Sequence, residues 1–168
     1  ERPEAAAGSV VVPSLEGTRP ILVAIQSLVI PTGFGAPRRT AIGVDHNRVS
    51  LLDAVMDKIC GLHLSSHDIF INVAGGVKVE EPAVDLGLVA SMASSFLNRP
   101  IRPGTAVFGE VGLTGEVRGI HQAEARLKET ARMGFSRCIL PEGTPAAAAT
   151  EIERVGIRSL GELLETLF

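Results

Sequence analysis

The fold is decided around residues 79–95, "VEEPAVDLGLVASMASS". Pro82 stands where the first turn of a helix accepts proline, and acidic residues flank it. Apolar residues then recur at helical spacing: Leu86, Val89, Ala93 and Phe96. This pattern predicts a helix from Pro82 to about Leu97 that buries one face in the core.

The segments on both sides of this helix predict an α+β fold. Before it, runs rich in β-branched residues read as strands at 8–13, 20–30, 40–44 and 68–75, with a turn over 14–19. Between the last two of these strands, we expect a helix that is capped by Asn47 and ends at Gly61. Its apolar residues recur at helical spacing as far as Ile59 and are expected to be buried. After it, we expect a hairpin over 105–118, a helix over 121–133, a strand at 137–141, a helix near 144–155, a strand at 156–159 and a C-terminal helix. This order predicts one mixed sheet covered by helices.

Composition excludes several classes of protein. The 168 residues carry a net charge of −3, which excludes a uniformly basic nucleic-acid binder but allows a local basic patch. Aromatic residues make up 4%, with no Trp or Tyr, which argues against a platform for stacked bases. There is no apolar run long enough to span a membrane and no opening signal peptide, which predicts a cytoplasmic protein without a membrane partner.

Cysteine and histidine spacing predicts no metal site. Cys60 and Cys138 have no CxxC partner, and the 4 histidines share no ligand spacing, so both thiols are expected to be small core residues. The chain opens with "ERPEAAAGS", which is polar and rich in alanine. We therefore expect a linker remnant over residues 1–7 and one domain over 8–168.

Three motifs resemble the peptidase domain of the Lon family: "EEPAVDLGLVASMASSFLNRPI" (80–101), "FGEVGLTGEVRGI" (108–120) and "AEARLKETARMGFSRCILP" (123–141). In that family a serine after the proline and a lysine on a later helix form the catalytic dyad. The resemblance carries the serine onto Ala83 and the lysine onto Arg126. Ala83 offers no nucleophile, and a guanidinium stays protonated at neutral pH, so we expect no catalytic residue and no peptidase activity.

Four longer motifs narrow the resemblance: "GSVVVPSLEGTRPILVAIQSLV" (8–29), "PRRTAIGVDHNRVSLLDAV" (37–55), "NVAGGVKVEEPAVDLG" (72–87) and "VFGEVGLTGEVR" (107–118). Together they resemble the C-terminal, Lon-like domain of the bacterial RadA (Sms) DNA-repair family. The resemblance implies a ribosomal protein S5 domain 2-like fold. It also implies a parent ATPase with a zinc finger that processes recombination intermediates as a homo-hexameric ring. ATP, Mg²⁺ and Zn²⁺ would then belong to upstream parts, since this chain has no phosphate-loop motif and only 2 cysteines.

Five basic residues fall within the family-like motifs, in loops or at the ends of predicted elements: Arg38, Arg39, Arg48, Lys78 and Arg118. We expect them to converge on one surface that binds the phosphates of single-stranded or branched DNA without sequence preference. In the alternative interpretation they are solubilising charges on a pure oligomerisation scaffold that does not contact DNA.

Two further alternatives stay open from the sequence. An unrecognised serine peptidase dyad could be built from Lys128 and one of three helix serines, Ser91, Ser94 or Ser95. Acidic residues near Pro82 suit the positive end of a helix dipole: Glu80, Glu81 and Asp85. Asp85 could instead pair with Arg126 and fill the emptied dyad with an ion pair.

Overall fold

The computed structural model describes residues 6–145 and 151–168. Its strands are β1 (Ser9–Glu16), β2 (Arg19–Pro31), β3 (Arg39–Ile42), β4 (His67–Val73), β5 (Thr105–Val107), β6 (Glu110–Val111), β7 (Val117–Arg118), β8 (Arg137–Pro141) and β9 (Glu153–Ile157). Its α-helices are α1 (His46–Val55), α2 (Asp85–Leu97), α3 (Ala123–Arg132) and α4 (Leu160–Leu167). Seven strands form a mixed sheet in the order β3-β4-β2-β1-β5-β8-β9, which confirms the predicted α+β class.

The β1–β2 hairpin is longer than the sequence predicts. Its antiparallel register runs from Ser9 opposite Gln26 to Glu16 opposite Arg19, so only Gly17 and Thr18 form the turn. Gly17 has a φ of +65°, which a residue without a Cβ adopts at low cost and which lets so short a turn close. The predicted turn over 14–19 is therefore wrong at both ends, because this glycine allows pairing to continue almost to the tip.

Helix α2 is the centre of the core. Its predicted apolar face is confirmed, but every residue from Asp85 to Ser94 is buried, including polar ones, because strands and helices surround it. A 3₁₀ turn, Pro82–Val84, precedes it, as the proline predicts. A Cβ added to Gly87 would lie 2.3 Å from Cγ2 of Val12 on β1. Only glycine lets the helix approach the sheet this closely.

The N-terminus of α1 corrects one predicted cap. The Asp45 carboxylate accepts a hydrogen bond from the Asn47 backbone N–H at 3.1 Å, so the cap lies two residues before the predicted cap at Asn47 and the helix begins at His46. Asp and Asn both cap helices well, and here the earlier residue, Asp45, is the cap. The helix continues through a π-helical turn, Met56–Cys60, to the predicted stop at Gly61. This wider turn changes the helical phase and leaves Ile59 44% exposed.

The C-terminal half contains two corrections. Residues 105–118 do not form a single hairpin: β5 lies parallel to β1 and β8 in the main sheet, and only β6 and β7 pair around the Gly112–Gly115 turn. The helix predicted near 144–155 lies partly outside the described residues, and its end is strand β9, which begins before the predicted strand at 156–159. Parallel pairing with β8 stabilises the extended conformation there.

Both cysteines are free thiols. Cys138 is fully buried on β8, as predicted, and burial raises the pKa of its thiol to about 12. Cys60 is only half-buried, so the prediction of a core position holds for one thiol and in part for the other. Burial also raises the pKa of the Cys60 thiol.

Candidate functional site

Arg126 projects from α3 into the interior and is 0% exposed. Its guanidinium pairs with both carboxylate oxygens of Glu81 and donates to the Pro13 carbonyl at 3.0 Å and the His121 carbonyl at 3.2 Å. The side chain therefore joins α3, β1 and the segment before α2. A buried charge held this way acts as a structural clamp rather than as a base.

Ala83 lies in the 3₁₀ turn before α2 and is 1% exposed. Its carbonyl accepts a hydrogen bond from the Gly109 N–H at 2.9 Å, and the Gly109 carbonyl accepts one from Leu86 at 3.0 Å. These bonds tie the start of the helix to the segment between β5 and β6. Position 83, onto which the resemblance carries the nucleophile, is thus apolar, covered by protein and fixed through its backbone.

The alternative in which Asp85 pairs with Arg126 is wrong. Asp85, 1% exposed at its side chain, instead accepts a hydrogen bond from Arg48 Nε at 2.8 Å and pairs with a second nitrogen of that guanidinium. It also accepts the Val111 N–H at 3.1 Å. The first turns of α1 and α2 and strand β6 meet at this carboxylate. The hydrogen bond to Asp85 raises the pKa of Arg48.

Arg39 has a comparable structural role at the sheet edge. Its guanidinium forms an ion pair with Asp53 on α1 at 2.7 Å and donates to the backbone carbonyls of His67 and Leu64 at 2.5 and 3.0 Å. Its side chain is only 13% exposed. Arg39 and Arg48 thus use their charges within the fold.

The remaining three basic residues are exposed. Arg118 pairs with Glu116 at 2.9 Å and with Glu110 at 3.9 Å. Arg38 and Lys78 form no side-chain ion pair among residues 6–145 and 151–168. Lys78 lies at the rim of a cavity of about 560 Å³ that Asp45 and Glu80 also line.

The five basic residues do not all meet in one place. Arg38 and Arg39 lie at the start of β3, the edge strand of the sheet. Lys78 lies near the other end, because the next residue, Val79, donates to the Gly43 carbonyl at 2.8 Å. From Arg39 to Gly43 the extended chain covers about 13 Å. Two unpaired cations therefore mark the two ends of one exposed edge, which we call the β3 edge (residues 38–43 with Lys78).

The three helix serines of the alternative dyad have other partners. Ser91 bonds to Ser27 at 2.6 Å, Ser94 accepts from the Gly8 N–H at 2.8 Å, and Ser95 accepts from the Val29 N–H at 2.9 Å. Lys128 is exposed and pairs with Glu124 at 3.2 Å. These contacts connect α2 to the sheet and leave the serines and the lysine on separate networks. The Gly8 contact also coincides with the predicted start of the domain.

The described residues do not suit a zinc or magnesium ion. In the described part of the chain, no three His, Cys, Asp or Glu side chains come together as metal ligands would. The acidic residues of greatest interest, Glu81 and Asp85, are engaged by arginines. Among the same residues, no helix has the length and apolar character needed to cross a bilayer.

Comparison with known proteins gives the family. Residues 35–144, more than half of the chain, match the model of subunit ChlI of Mg-chelatase. The chain belongs to this ChlI family. DNA repair protein RadA of Bacillus subtilis is 51% identical over 168 residues, 99% of this chain and 37% of the relative. RadA of Halalkalibacterium halodurans is 48% identical over 98% of this chain and 36% of the relative. RadA of Streptococcus pyogenes serotype M1 is 45% identical over 100% of this chain and 38% of the relative.

The chain thus spans little more than a third of the length of these RadA relatives. The similarity to RadA proteins that the sequence motifs indicate is confirmed. The Lon-like fold, the DNA contact and the ring stay predictions. Membership in the ChlI family is compatible with the mixed sheet and its helices.

Sequence reasoning missed the partners of the two carboxylates, Glu81 and Asp85, that organise this ChlI-family domain. The sequence predicts only that the Glu81 carboxylate favours the positive end of the helix dipole, whereas it is the partner of Arg126, 45 residues away. Asp85 is the partner of Arg48, 37 residues away. No local spacing could signal either pair, because i,i+3 and i,i+4 rules apply only within one helix.

Proposed function

We propose that this chain is a peptidase-inactive, Lon-type domain of a DNA-repair ATPase and that it contacts the sugar-phosphate backbone of DNA. The observation that carries the proposal is 45–51% identity to proteins named DNA repair protein RadA along almost the whole chain. The proposed fold type is ribosomal protein S5 domain 2-like. The position of Arg126 supports it, because α3 brings this side chain to the segment that precedes Ala83.

Loss of peptidase chemistry follows from the residues at the two dyad positions. Serine hydrolysis needs a hydroxyl and a base that can accept its proton. Position 83 holds a covered methyl group, and position 126 holds a buried guanidinium that donates to Glu81 and two carbonyls. The helices that would carry the dyad are retained, whereas Arg126 stabilises the fold through its ion pair with Glu81.

DNA contact is assigned first to the β3 edge. Arg38 and Lys78 are exposed, carry no intramolecular ion pair in the described residues, and lie at its two ends. Long cationic side chains spaced along an edge suit phosphates of one strand that are separated by about two nucleotides. Arg118 contributes less because two carboxylates already neutralise it, and Arg39 and Arg48 contribute through the fold.

Assembly into a homo-hexameric ring completes the proposal. A few phosphate contacts per domain give weak binding, and a ring repeats them on one DNA molecule, which raises the overall affinity. ATP, Mg²⁺ and Zn²⁺ would act in other parts of the parent protein. No step proposed for these residues uses them.

The experiment measures DNA affinity as a function of salt by fluorescence anisotropy with a labelled oligonucleotide. Arg38→Ala and Lys78→Ala should each reduce the slope of log affinity against log salt concentration by about one unit. Arg102→Ala and Lys128→Ala are matched controls, since both side chains are exposed and basic but lie away from the β3 edge. A flat slope for the wild type, or wild-type slopes for the first two variants, would overturn the DNA contact.

A pure oligomerisation scaffold is the second candidate. It is favoured by apolar side chains on the uncovered face of the β3-β4-β2 region: Leu28 is 53% and Ile42 59% exposed. Leu28 lies opposite Phe70, and Phe70 opposite Thr40, so this face is continuous across three strands. Leu28→Lys should then disrupt assembly in sedimentation velocity while Arg38→Ala leaves DNA binding unchanged. If Leu28→Lys leaves assembly intact and Arg38→Ala weakens DNA binding, the result supports the DNA contact instead.

A further inference from the structure

The loop between β2 and β3, residues 32–38, carries the most exposed large apolar side chain of the described chain. Phe34 is 96% exposed. It stands between Gly33 and Gly35, and a Cβ built on either glycine would have no neighbour within 4 Å. The ring therefore lies at an open tip where neither flanking residue nor any packed element covers it.

The base of this loop is firmly held. Asp68, at the start of β4, accepts hydrogen bonds from the Thr32 hydroxyl at 2.9 Å and the Arg38 N–H at 2.8 Å. The Thr32 N–H donates to the Ser66 carbonyl at 3.0 Å, and the Arg38 carbonyl accepts from Ile69 at 2.9 Å. One carboxylate thus connects the two ends of the loop. Phe34 is carried by a fixed stem, which lowers the entropy lost when its ring is used for binding.

The charge of the same loop indicates the chemistry of the partner of the ring. The loop contains no acidic residue, and Arg38 follows Phe34 by four positions with its guanidinium unpaired in the described residues. Asp68, the nearby acid, is engaged by the loop ends. An uncovered aromatic ring and a cation without an ion pair, carried by one short loop, match a nucleotide, whose base stacks and whose phosphate is anionic.

We propose that the β2–β3 loop is a single-strand contact site in which Phe34 stacks on an unpaired base while Arg38 contacts the neighbouring phosphate. This inference rests on the proposed DNA contact and assigns its preference for unpaired strands. In a duplex the faces of the bases are already stacked on one another, so the ring gains nothing there. The composition argued against a platform of many aromatics, whereas a single uncovered ring serves one base.

The chain offers a clean reporter because it has no Trp. Phe34→Trp places a single indole at the loop tip, and Leu113→Trp, at a position 67% exposed on the β6–β7 hairpin, is the matched control. The probes are a 20-nucleotide oligo(dT) and a blunt duplex of the same length. Oligo(dT) should quench the emission of Phe34→Trp, the duplex should not, and neither should affect Leu113→Trp.

Affinity measurements complete the test. Phe34→Ala should weaken binding of oligo(dT) about 5- to 150-fold, the range expected for loss of one stacked base, and leave duplex binding unchanged. Phe34→Trp should retain the affinity, and Leu113→Ala should behave as wild type. Equal loss on both probes, no loss, or a change in oligomeric state without a change in the oligo(dT)-to-duplex ratio would overturn the stacking role. In those cases a reduced salt slope for Arg38→Ala would still support the phosphate contact. If the wild type binds neither oligo(dT) nor the duplex, both the stacking role and the phosphate contact are overturned.

Discussion

Arg126 and Glu81 form an ion pair in which the guanidinium is 0% exposed and the carboxylate side chain 17% exposed. The pair joins α3 to the segment that leads into α2, and it includes Arg126, onto which the resemblance to the Lon family carries the dyad lysine. The guanidinium also donates to two backbone carbonyls, and its complete burial keeps its charge from contact with water. The cost of removing one partner therefore depends on which one is removed.

We expect Glu81→Gln to lower the free energy of unfolding by about 3 kcal/mol, because it leaves a buried guanidinium without its counter-charge. Arg126→Met should cost less, since Glu81 keeps some access to water. The double variant should be more stable than the sum of the two losses predicts. Urea unfolding of the four proteins of this cycle measures the coupling, and strictly additive losses would contradict the clamp.

Ala83→Ser should not create a peptidase, and neither should Ala83→Ser combined with Arg126→Lys. In the second variant Glu81 would hold the new lysine in its charged form, because an adjacent opposite charge favours that form. Cleavage of labelled casein and labelling by a serine-reactive phosphonate are the measurements. Wild-type chain provides the baseline, and labelling at position 83 in either variant would disprove this explanation.

Removal of Arg48 should lower the free energy of unfolding more than removal of Asp85. Arg48→Met leaves the 1% exposed Asp85 carboxylate with only the Val111 N–H, and we expect it to lose about 3 kcal/mol. Asp85→Asn should lose about 1–2 kcal/mol, since Arg48 is 31% exposed and regains water. Denaturant midpoints at constant m-value give both numbers. Equal losses would mean that burial of the carboxylate does not set the cost.

Glu116, in the β6–β7 turn, should stay ionised to unusually low pH. The Glu116 carboxylate accepts hydrogen bonds from the Thr114 hydroxyl at 2.7 Å and from the Arg118 guanidinium at 2.9 Å. These bonds lower the pKa of Glu116 to about 2. A lowered pKa in the folded state stabilises the turn fully above about pH 4.5, and this contribution is lost as pH falls toward 2. NMR titration of the Glu116 carboxyl carbon should show the low midpoint, and Thr114→Ala should move it upward. A midpoint near 4.5 in the wild type would refute the contact.

Local pattern was sufficient for much of the fold. The β-branched runs of β1 and β2, the apolar spacing of α2 after Pro82 and the glycine stop at Gly61 all predict elements that the structure contains. These features depend on residues within one or two turns or along one strand. The sequence also identified Ala83 and Arg126 as unable to form a dyad, because side-chain chemistry alone excludes it.

Tertiary structure alone decided the use of each charge. Glu81 rather than Asp85 pairs with Arg126, Asp85 pairs with Arg48, and two of the five predicted DNA-contacting residues hold the fold together. It also decided that residues 153–157 are a strand, through pairing with β8, and that Phe34 has no cover. Residue type sets which interactions a side chain can make, whereas the partner it finds is set by chain segments tens of residues away that packing brings beside it.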